Sequence, residues 1–414
     1  MTIAFVVDIY KDRSNGTSMS AFRCARELLR RGHEVRIIAT KPTKALTSPK
    51  LPKETSFEIG DDGEKIYFVK ERYIPIVTEV SHKQHMVFGA PDENLMREVL
   101  KGCDVVHFFL PFRLEIMGIA LCKELQIPYT TAFHMQPQHI SYALSMNFAW
   151  FNDYLYRRLF RGFYRYTHHI HCPSKLMREE LERIGYGGKK YVISNGFDGG
   201  TLQAPRGVDF GLEEGVFHIA SVGRFSKEKR QDILIKAIAR NKYAHKIKLH
   251  LHGLGPRESY LKRLCEKYLR GGYEFGFIEN ALLLQKLKAV NLYCHPAQVE
   301  SEAISCLEAI SLGVVPLIAD SKVSATNQFA LDSRSLFRTN DIEDLSEKIT
   351  YWIENPHALD SMREAYRQSV RQYALSLSVD KMLRMFEEAI IDFKQDRGLF
   401  EKVHRLAPAV NAGG

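Results

Sequence analysis

Two glutamates eight residues apart, Glu300 and Glu308, are notable for the segment in which they stand. They follow an apolar, strand-like run, Val290–Cys294, and the pair His295-Pro296, and an apolar helical stretch comes after them. This pattern predicts Glu300 in a loop and Glu308 at the start of a helix that faces the loop. Two acids held in this way can grip both ends of a polar ligand. With 49 acidic residues in 414, about six such spacings are expected by chance, so the context must decide.

Two segments earlier in the chain place glycines and cations after predicted strands. In the first, Gly223 is followed by Arg224 and Lys229. Two cations five residues apart on a loop suit a diphosphate, which needs both charge and directed donors. In the second, Gly253 and Gly255 let the backbone approach a ligand closely. Taken singly, these features are also typical of surface charges and of a simple turn.

Two more segments complete the set. Phe277 and Ile278 belong to an apolar stretch that predicts a slot with free backbone groups for a flat base. The helix N-terminus between the two glutamates offers amides and a positive dipole end to a phosphate, through Ala303, Ile304 and Ser305. All four segments follow predicted strands in chain order, and this order makes them more specific together than alone.

The elements that must position these residues alternate between apolar runs and amphipathic stretches, which predicts parallel sheets with crossover helices. The predicted strands are Ile3–Val7, Glu34–Ala39, Asp104–Phe109, Tyr129–Phe133, Val216–Val222, Ile247–His252, Leu292–His295 and Val314–Ala319. The predicted helices are Met19–Arg31, Ile116–Leu125, Asp232–Ala239, Ser259–Leu269, Ala303–Leu312 and Leu377–Gln395.

The alternation occurs twice, with a less regular join around residues 194–215. The predicted fold class is therefore α/β, with two doubly wound, Rossmann-like domains facing across a cleft. We expect an N-terminal domain at residues 1–198, a C-terminal domain at 199–384, and a helical tail at about 385–414 that packs back on the first domain. Ligands of such sheets bind beyond the carboxyl ends of the strands, so the four segments are expected to converge there.

Composition sets further limits on the class of protein. A chain of 414 residues, 45% hydrophobic and 26% charged, is typical of a globular protein of two to three domains. No apolar run reaches the roughly 18 residues of a membrane span. The chain opens on a strand pattern without a preceding basic segment, which favours a cytoplasmic location. The seven cysteines are scattered without a CxxC pair, so we expect buried thiols and neither disulfides nor a zinc site.

Taken together, the chain resembles the family-four retaining glycosyltransferases of the GT-B fold, which transfer a sugar from a nucleotide donor with retained anomeric configuration. The resemblance runs from residue 3 to about residue 390. It is strongest from Val192 to Ile318, where the segments at Gly223–Asp232, Gly253–Pro256, Phe275–Phe277 and Glu300–Glu308 all match in order. It also includes three shorter segments: Asp104–His107, Phe133-His134 and Asn195–Asp198.

The resemblance implies a role for each motif residue. Arg224 and Lys229 would bind the donor diphosphate and stabilise the charge that develops as the sugar–phosphate bond breaks. Glu308 would accept hydrogen bonds from the ribose hydroxyls. Glu300 would hold hydroxyls of the donor sugar, and His134 would approach that sugar from the first domain.

The same resemblance implies that the first loop, with Gly16 and Thr17, faces the diphosphate and the acceptor. No metal or other cofactor is expected, because the fold needs none and the leaving phosphate is thought to take the proton of the acceptor. The chain departs from the family pattern at Glu302 and Ala303, where an aromatic residue and a glycine are frequent. We expect the donor preference to differ from that of relatives at this pair.

The segment Phe148–Tyr166 combines nine aromatic residues with four arginines: Arg157, Arg158, Arg161 and Arg165. As a helix, it is basic along one side and aromatic along much of the rest, a pattern typical of an interfacial membrane helix. The alternative is a core helix with its arginines in water. The first predicted helix also carries three arginines at helical spacing: Arg23, Arg26 and Arg30.

The family resemblance, together with this segment, implies a metal-independent, retaining hexosyltransferase that moves glucose or galactose from a UDP-sugar to a membrane-lipid or lipid-linked acceptor. It would lie in the cytoplasm, peripherally on the inner face of the cell membrane, with an anionic membrane surface as a partner. One alternative keeps the chemistry with a soluble or cell-wall glycan acceptor. Another is a non-catalytic nucleotide-sugar-binding partner subunit. Nucleic acid is not an expected partner, because the net charge of +9 comes without a recognised binding motif.

Overall fold

The chain forms two compact units in a computed structural model that describes residues 1–12, 15–41, 57–60, 62–75, 77–83, 86–198 and 213–401. The first unit contains Met1–Asn195 and the chain from Leu375 onward, and the second contains Gly196–Ala374. Both predicted boundaries, after residues 198 and 384, therefore lie beyond the observed ones. The parts of the predicted join and tail at residues 199–212 and 402–414 lie outside the described residues.

The first unit is built on an eight-stranded sheet of order β3-β4-β2-β1-β5-β6-β7-β8, in which only the β3–β4 pair is antiparallel. Its strands are β1 (Thr2–Val6), β2 (Glu34–Lys41), β3 (Phe57–Ile59), β4 (Lys65–Lys70), β5 (Val105–Phe108), β6 (Tyr129–Ala132), β7 (His169–Cys172) and β8 (Lys189–Val192). Side chains of β1 alternate between two apolar cores: Ala4 and Val6 belong to one, and Ile3 and Phe5 belong to the other. This sheet is therefore buried on both faces, as parallel sheets require.

Within the described residues, seven helices connect these strands. They are α1 (Gly16–Arg30), α2 (Val77–Lys83), α3 (Glu93–Leu100), α4 (Arg113–Glu124), α5 (Pro137–Ala143), α6 (Ala149–Gly162) and α7 (Lys175–Arg183). Helix α1 begins earlier than predicted, because Asn15 caps it. The Asn15 side-chain oxygen accepts hydrogen bonds from Thr17 N at 3.0 Å and Ser18 N at 3.2 Å. The predicted first loop is thus a helix cap and first turn.

The second unit has a fully parallel six-stranded sheet of order β11-β10-β9-β12-β13-β14. Its strands are β9 (Phe217–Val222), β10 (Ile247–His252), β11 (Tyr273–Gly276), β12 (Leu292–His295), β13 (Val315–Asp320) and β14 (Leu336–Arg338). Its helices are α8 (Gln231–Arg240), α9 (Glu258–Leu269), α10 (Asn280–Ala289), α11 (Ile304–Ser311), α12 (Ile342–Glu354) and α13 (Pro356–Ser369).

Two C-terminal helices, α14 (Leu375–Gln395) and α15 (Gly398–Glu401), return to the first unit. Helix α14 buries Val379, Met382 and Phe386 in the core that also contains β1 side chains. This helix belongs to the first unit and begins ten residues before the predicted boundary at 385. The described part of the chain contains no helix with the length and apolar character needed to cross a membrane.

Each sheet reverses its winding direction once. In the first unit the reversal lies between β1 and β5, and in the second it lies between β9 and β12. Loops that leave the carboxyl ends of such adjacent strands diverge to opposite faces and leave a crevice, where doubly wound sheets bind their ligands. These two switch points are therefore the places at which the fold exposes backbone and side chains to a ligand.

Candidate functional site

The loop after β9 carries the two predicted phosphate-binding cations. The strand ends at Val222, and Gly223 turns the chain with a φ of +156°. A short 3-10 turn, Lys227–Lys229, follows, and Arg230 adopts the left-handed conformation with a φ of 51° before α8 begins. These turns bring Lys229 back toward the neighbouring strand, β12.

Lys229 meets Glu300 at this switch point. Their Nζ and Oε2 atoms form an ion pair, and the side chains are only 14% and 12% exposed. His295 Nε2 lies 3.3 Å from the same Glu300 oxygen. Burial by itself would raise the pKa of Glu300, but the Lys229 ammonium and His295 together hold that pKa well below its ordinary value. Glu300 is therefore an ionised carboxylate in contact with a cation.

Arg224 also lies against a carboxylate. Its guanidinium donates to Glu228 Oε1 at 3.1 Å, and Ser226 Oγ donates to the same oxygen at 2.6 Å. Glu228 is buried, and its backbone oxygen accepts from Gln298 N at 2.8 Å, which joins the β9 loop to the β12 loop. The two cations are thus held in place by acids, and an incoming diphosphate would meet donors whose positions are already set.

The N-terminus of α11 is fixed above the end of β9. Ala303 caps it in the left-handed conformation, with a φ of 71°. Ser305 Oγ donates to Val222 O at 3.2 Å, and the Tyr293 hydroxyl lies 2.9 Å from Ser305 Oγ. Since the first amides of a helix have no intrahelical acceptor, those of Ile304 and Ser305 are suited to bind an anion at this edge.

Glu308, the second glutamate of the Glu300–Glu308 pair, does not begin the helix as predicted. Glu308 lies in the second turn of α11 and is 8% exposed, while Glu300 lies in the preceding loop. Between them, Glu302 is 1% exposed. The additional acid of this segment is therefore buried within the second unit instead of facing solvent.

The two predicted donor-binding glycines of the β10 loop have a packing reason. A Cβ atom on Gly253 would lie 2.0 Å from Gly223 O, and one on Gly255 would lie 2.6 Å from Phe225 O. Backbone hydrogen bonds join the same loops, including Phe225 N to Leu254 O at 2.8 Å. Glycine is thus required here by contact between the β9 and β10 loops.

The predicted base slot follows β11. Phe277 is 48% exposed, whereas Ile278 is half-buried against the core of the second unit. Phe225 and Phe275 pack their rings behind it, with centroids 5.0 Å apart. The segment therefore presents one exposed ring and one anchored side chain at the carboxyl edge of the sheet.

The site residues predicted in the first unit lie in different settings. Gly16 is exposed and Thr17 is half-buried in the first turn of α1. His134 is 7% exposed and packs against Phe109, with parallel rings 5.7 Å apart, and against His171. Burial lowers the pKa of His134 well below its ordinary value, so its ring is neutral at neutral pH. His134 is therefore a buried imidazole that can act by hydrogen bonding but not by charge.

The aromatic and basic segment divides into two faces. On α6, positions 150, 154, 157, 158 and 161 fall on one side at helical spacing, where Trp150 is 66% and Tyr154 is 53% exposed. Tyr156 and Phe160, each 1% exposed, pack into the core on the other side. Helix α6 thus has one exposed face with aromatic and basic side chains and one face that packs into the core.

Two arginine predictions need correction. Arg165 lies beyond the end of α6, in a 3-10 turn, with its guanidinium 4.6 Å from the centroid of the Tyr166 ring. On α1, Arg23 is buried and Arg30 donates to Glu27 at 2.8 Å. The three arginines of α1 therefore do not form one exposed basic face, because the helix turns Arg23 toward the interior.

Two clusters of potential metal ligands occur among the described residues: His250, His252 and Glu274 in one, and His168, His169 and Asp392 in the other. In each cluster a lysine already contacts the carboxylate. Lys286 Nζ contacts Glu274, and Lys189 Nζ lies 2.7 Å from Asp392 Oδ2. An ammonium group at these carboxylates repels a metal cation, and neither cluster includes a predicted donor-site residue.

Two site residues were not predicted from the sequence. Glu228 holds Arg224, and His295 contacts Glu300. Both stand inside or next to recognised segments, so their positions were visible in the sequence. Each contact lies within one loop and depends on how that loop turns after its strand, which residue types alone do not show.

Comparison with known proteins places both units in one family. The family described as "Glycosyltransferase Family 4" matches residues 14–199, and "Glycosyl transferases group 1" matches residues 208–372. The two matches follow each other along the chain, as the two units do. The chain belongs to the family-four glycosyltransferases of the GT-B fold. In this glycosyltransferase the Lys229–Glu300 pair lies inside the region that matches group 1.

Several known proteins are similar to this chain. The glycosyltransferase is 25% identical over 228 residues to the alpha-monoglucosyldiacylglycerol synthase of Streptococcus pneumoniae, a match that covers 52% of this chain and 51% of that protein. The matched part thus spans about half the length of this relative. The catalytic domain of cholesterol-alpha-glucosyltransferase from Helicobacter pylori is 51% identical over 38% of this chain and 99% of that chain, with a TM-score of 0.35. The fold matches sucrose-phosphate synthase from Thermosynechococcus elongatus with a TM-score of 0.73, at 15% identity over 94% of this chain and 99% of that one.

Proposed function

We propose that this glycosyltransferase moves a hexose, glucose or galactose, from a UDP-sugar to a membrane-lipid or lipid-linked acceptor. The observation that carries the proposal is the meeting of Lys229 and Glu300 at the switch point between β9 and β12. Doubly wound sheets bind nucleotides at such a point. The pair offers an ammonium for phosphate and a carboxylate for sugar hydroxyls within one small region.

The electrostatics of this region suit departure of a nucleoside diphosphate. As the sugar–phosphate bond breaks, negative charge grows on the leaving oxygen, and preorganised donors stabilise that charge without having to reorient. Lys229, Arg224 and the first amides of α11 are such donors. In this mechanism the leaving phosphate takes the acceptor proton on the same face of the sugar, which retains the configuration and needs no metal.

The proposed lipid acceptor has two supports. One is the similarity to a synthase named for a glucosylated diacylglycerol. The other is the exposed face of α6, on which Trp150 and Tyr154 accompany Arg158 and Arg161. Aromatic rings favour the headgroup level, and arginines favour anionic lipid. We propose that this face places the protein peripherally on an anionic membrane.

Donor turnover tests the chemistry. Release of UDP or GDP is measured from a panel of nucleotide sugars, with vesicles that contain diacylglycerol or a sterol and with soluble glycans as acceptors. We expect turnover with a UDP-hexose and lipid, an α-linked product by NMR, and no loss of activity in EDTA. Turnover only with a soluble glycan would favour the alternative acceptor class. If none of the donors is turned over, the result would favour a non-catalytic subunit.

A matched pair of variants tests the site itself. Lys229→Met removes the ammonium and keeps the length of the side chain, and it should lower turnover by at least about a hundredfold, as loss of a charge-stabilising donor does. Lys227→Met is the control, because Lys227 is exposed on the same 3-10 turn. Equal turnover in both variants would refute the assigned donor site.

Vesicle flotation tests the membrane face. Reversal of the charges at Arg158 and Arg161 to Glu should weaken binding to anionic vesicles, and neutral vesicles should bind weakly in every case. The control reverses two exposed charges on α9 of the second unit, Lys262 and Arg263. Binding that is independent of lipid charge, or equally weakened by the control, would contradict this assignment.

A further inference from the structure

Two buried carboxyl groups lie at the switch point of the first sheet. Asp8 follows β1, and Glu115 lies in the first turn of α4, which follows β5. Both side chains are 0% exposed. Because β1 and β5 are adjacent parallel strands, the two acids lie at the same edge of the sheet, beyond the carboxyl ends of these strands. Their place corresponds to that of the Lys229–Glu300 pair in the second unit, but here both groups are acids.

Among the described residues, the largest influences on these acids besides burial and each other are Thr40 of β2, the Gly89 amide and backbone groups of Phe112 and Glu115, and no cation is among them. The phenol of Tyr164, itself buried, is a further titratable neighbour of Glu115. Two carboxylates placed together in such an environment cannot both stay ionised.

The pKa values of the pair agree with this environment. Burial raises the pKa of Asp8 to about 6, although the Gly89 amide partly opposes it. Burial, and then the charge of Asp8, raises the pKa of Glu115 well above its ordinary value. At neutral pH one proton therefore stays with the pair, mainly on Glu115.

A short segment, Met86–Ala90, packs directly on this edge. Gly89 N donates to Asp8 Oδ1 at 2.6 Å. A Cβ atom on Gly89 would lie 2.7 Å from Thr40 Oγ1 and 3.2 Å from a Leu114 methyl carbon, so the segment leaves no space above the sheet. Gly89 is thus held by a charged acceptor that is part of the buried pair.

Backbone hydrogen bonds hold the rest of the segment. Ala90 N donates to Lys70 O at 2.8 Å, Arg72 N donates to Phe88 O at 2.7 Å, and Met86 N donates to Ser81 O at 2.9 Å. Asn15 Nδ2, from the cap of α1, lies 3.5 Å from Met86 Sδ. The segment therefore joins the buried acids to the helix turn that carries Gly16 and Thr17.

We propose that Asp8 and Glu115 share one proton and that this proton keeps the segment Met86–Ala90 anchored over the switch point of the first sheet. With the proton in place, the neutral carboxyl donates to the carboxylate, and Asp8 can still accept the Gly89 N–H. When hydroxide or a buffer base removes the proton, two negative charges face each other without a cation. Water must then enter to hydrate them, and the segment that covers them opens. Asp8 and Glu115 are thus positioning residues for this segment, whatever substrate the enzyme uses.

Hydrogen exchange on the full-length protein tests this proposal. Peptides that contain Gly89 are followed by mass spectrometry between about pH 6 and pH 9, with rates corrected for intrinsic base catalysis. If opening releases one proton, the opening constant of the wild type rises by up to about tenfold per pH unit while the pH lies above the pKa of the opened carboxyl and below the upper pKa of the closed pair, and it levels off above that upper pKa. In Glu115→Gln the amide still donates to Asp8 and has no proton to lose, so the profile should be flat. Glu124→Gln, an exposed change on the same helix, should keep the wild-type profile.

A second variant keeps the test decisive if Glu115→Gln does not fold. Asp8→Asn keeps an oxygen for the Gly89 N–H and removes one of the two charges, so a smaller rise than in the wild type is expected. A flat wild-type profile would overturn the proposal. An unchanged wild-type slope in Glu115→Gln or in Asp8→Asn would also overturn it. Because exchange is measured without substrate, these results are independent of the donor and acceptor.

Discussion

Removal of the Lys229 ammonium should destabilise the second unit as well as impair catalysis. In Lys229→Met the Glu300 carboxylate keeps its buried position, and its remaining partner is His295 Nε2 at 3.3 Å. Loss of one member of a buried ion pair costs about 3–5 kcal/mol. Since Lys229 and Glu300 remain 14% and 12% exposed and His295 stays in contact, we expect a loss smaller than this range, of about 2–3 kcal/mol at pH 7.

The pH dependence of this loss follows from the pKa of Glu300. In the wild type that pKa lies below its ordinary value of 4.5, so the stabilisation is complete above that pH and is lost as the pH falls below it. In Lys229→Met, burial of Glu300 is largely unopposed and raises the pKa of its carboxyl. The folded variant therefore takes up a proton as the pH falls and becomes more stable relative to the wild type. The difference between the two proteins should therefore be large at pH 7 and should shrink toward acid pH.

Urea unfolding with a tryptophan reporter measures this effect. The chain has two tryptophans: Trp150 is exposed in the first unit, and Trp352 is buried in the second. In a Trp150→Phe background the fluorescence reports the second unit alone. Adding Glu300→Gln should reduce the cost of Lys229→Met to below about 1 kcal/mol, because no uncompensated charge remains. If the cost of Lys229→Met were independent of pH, or were the same with and without Glu300→Gln, the reasoning would be refuted.

Three other changes have predicted effects on the free energy of unfolding, measured by the same titration or by circular dichroism. Gly253→Ala should lower the free energy of unfolding by about 2–3 kcal/mol, because the new Cβ would meet the Gly223 carbonyl. Gly162→Ala serves as the control, because a Cβ at this position would have no atom within 4 Å. Ala303→Gly should raise the free energy of unfolding by up to about 1 kcal/mol, because it relieves a φ of 71°. Asn15→Ala should lower the free energy of unfolding by about 1 kcal/mol through loss of the α1 cap, and Asn15→Ser should retain most of the wild-type value. An unchanged free energy in Asn15→Ala would contradict the capping role of Asn15.

Most of the secondary structure was predictable because short-range patterns determine it. The predicted strands Ile247–His252 and Leu292–His295 agree with β10 and β12 at both ends, since apolar runs bounded by glycine or proline have few alternatives. Helix α1 shows the limit. Its first three residues were assigned to a loop, because the glycine at position 16 obscured the capping role of Asn15.

The residue types of the proposed donor site were visible in the sequence, but the pairing between them was not. Arg224, Lys229, Glu300 and Glu308 were recognised from their segments. The contact of Lys229 with Glu300 depends on the parallel pairing of β9 with β12, whereas Arg224 contacts Glu228 within the β9 loop. Strand order is a long-range property, and no local spacing encodes it.

The sequence alone determined the family, the α/β alternation and the positions of the polar loops, because these depend on local periodicity and on motifs of a few residues. Tertiary structure alone decided which charges are buried together. It turned Arg23 inward, divided α6 into an exposed and a core face, and placed Asp8 beside Glu115 across more than a hundred residues of chain. The physical reason is that burial and charge pairing arise from packing between distant segments, whereas the patterns that form a helix or a strand lie within one segment.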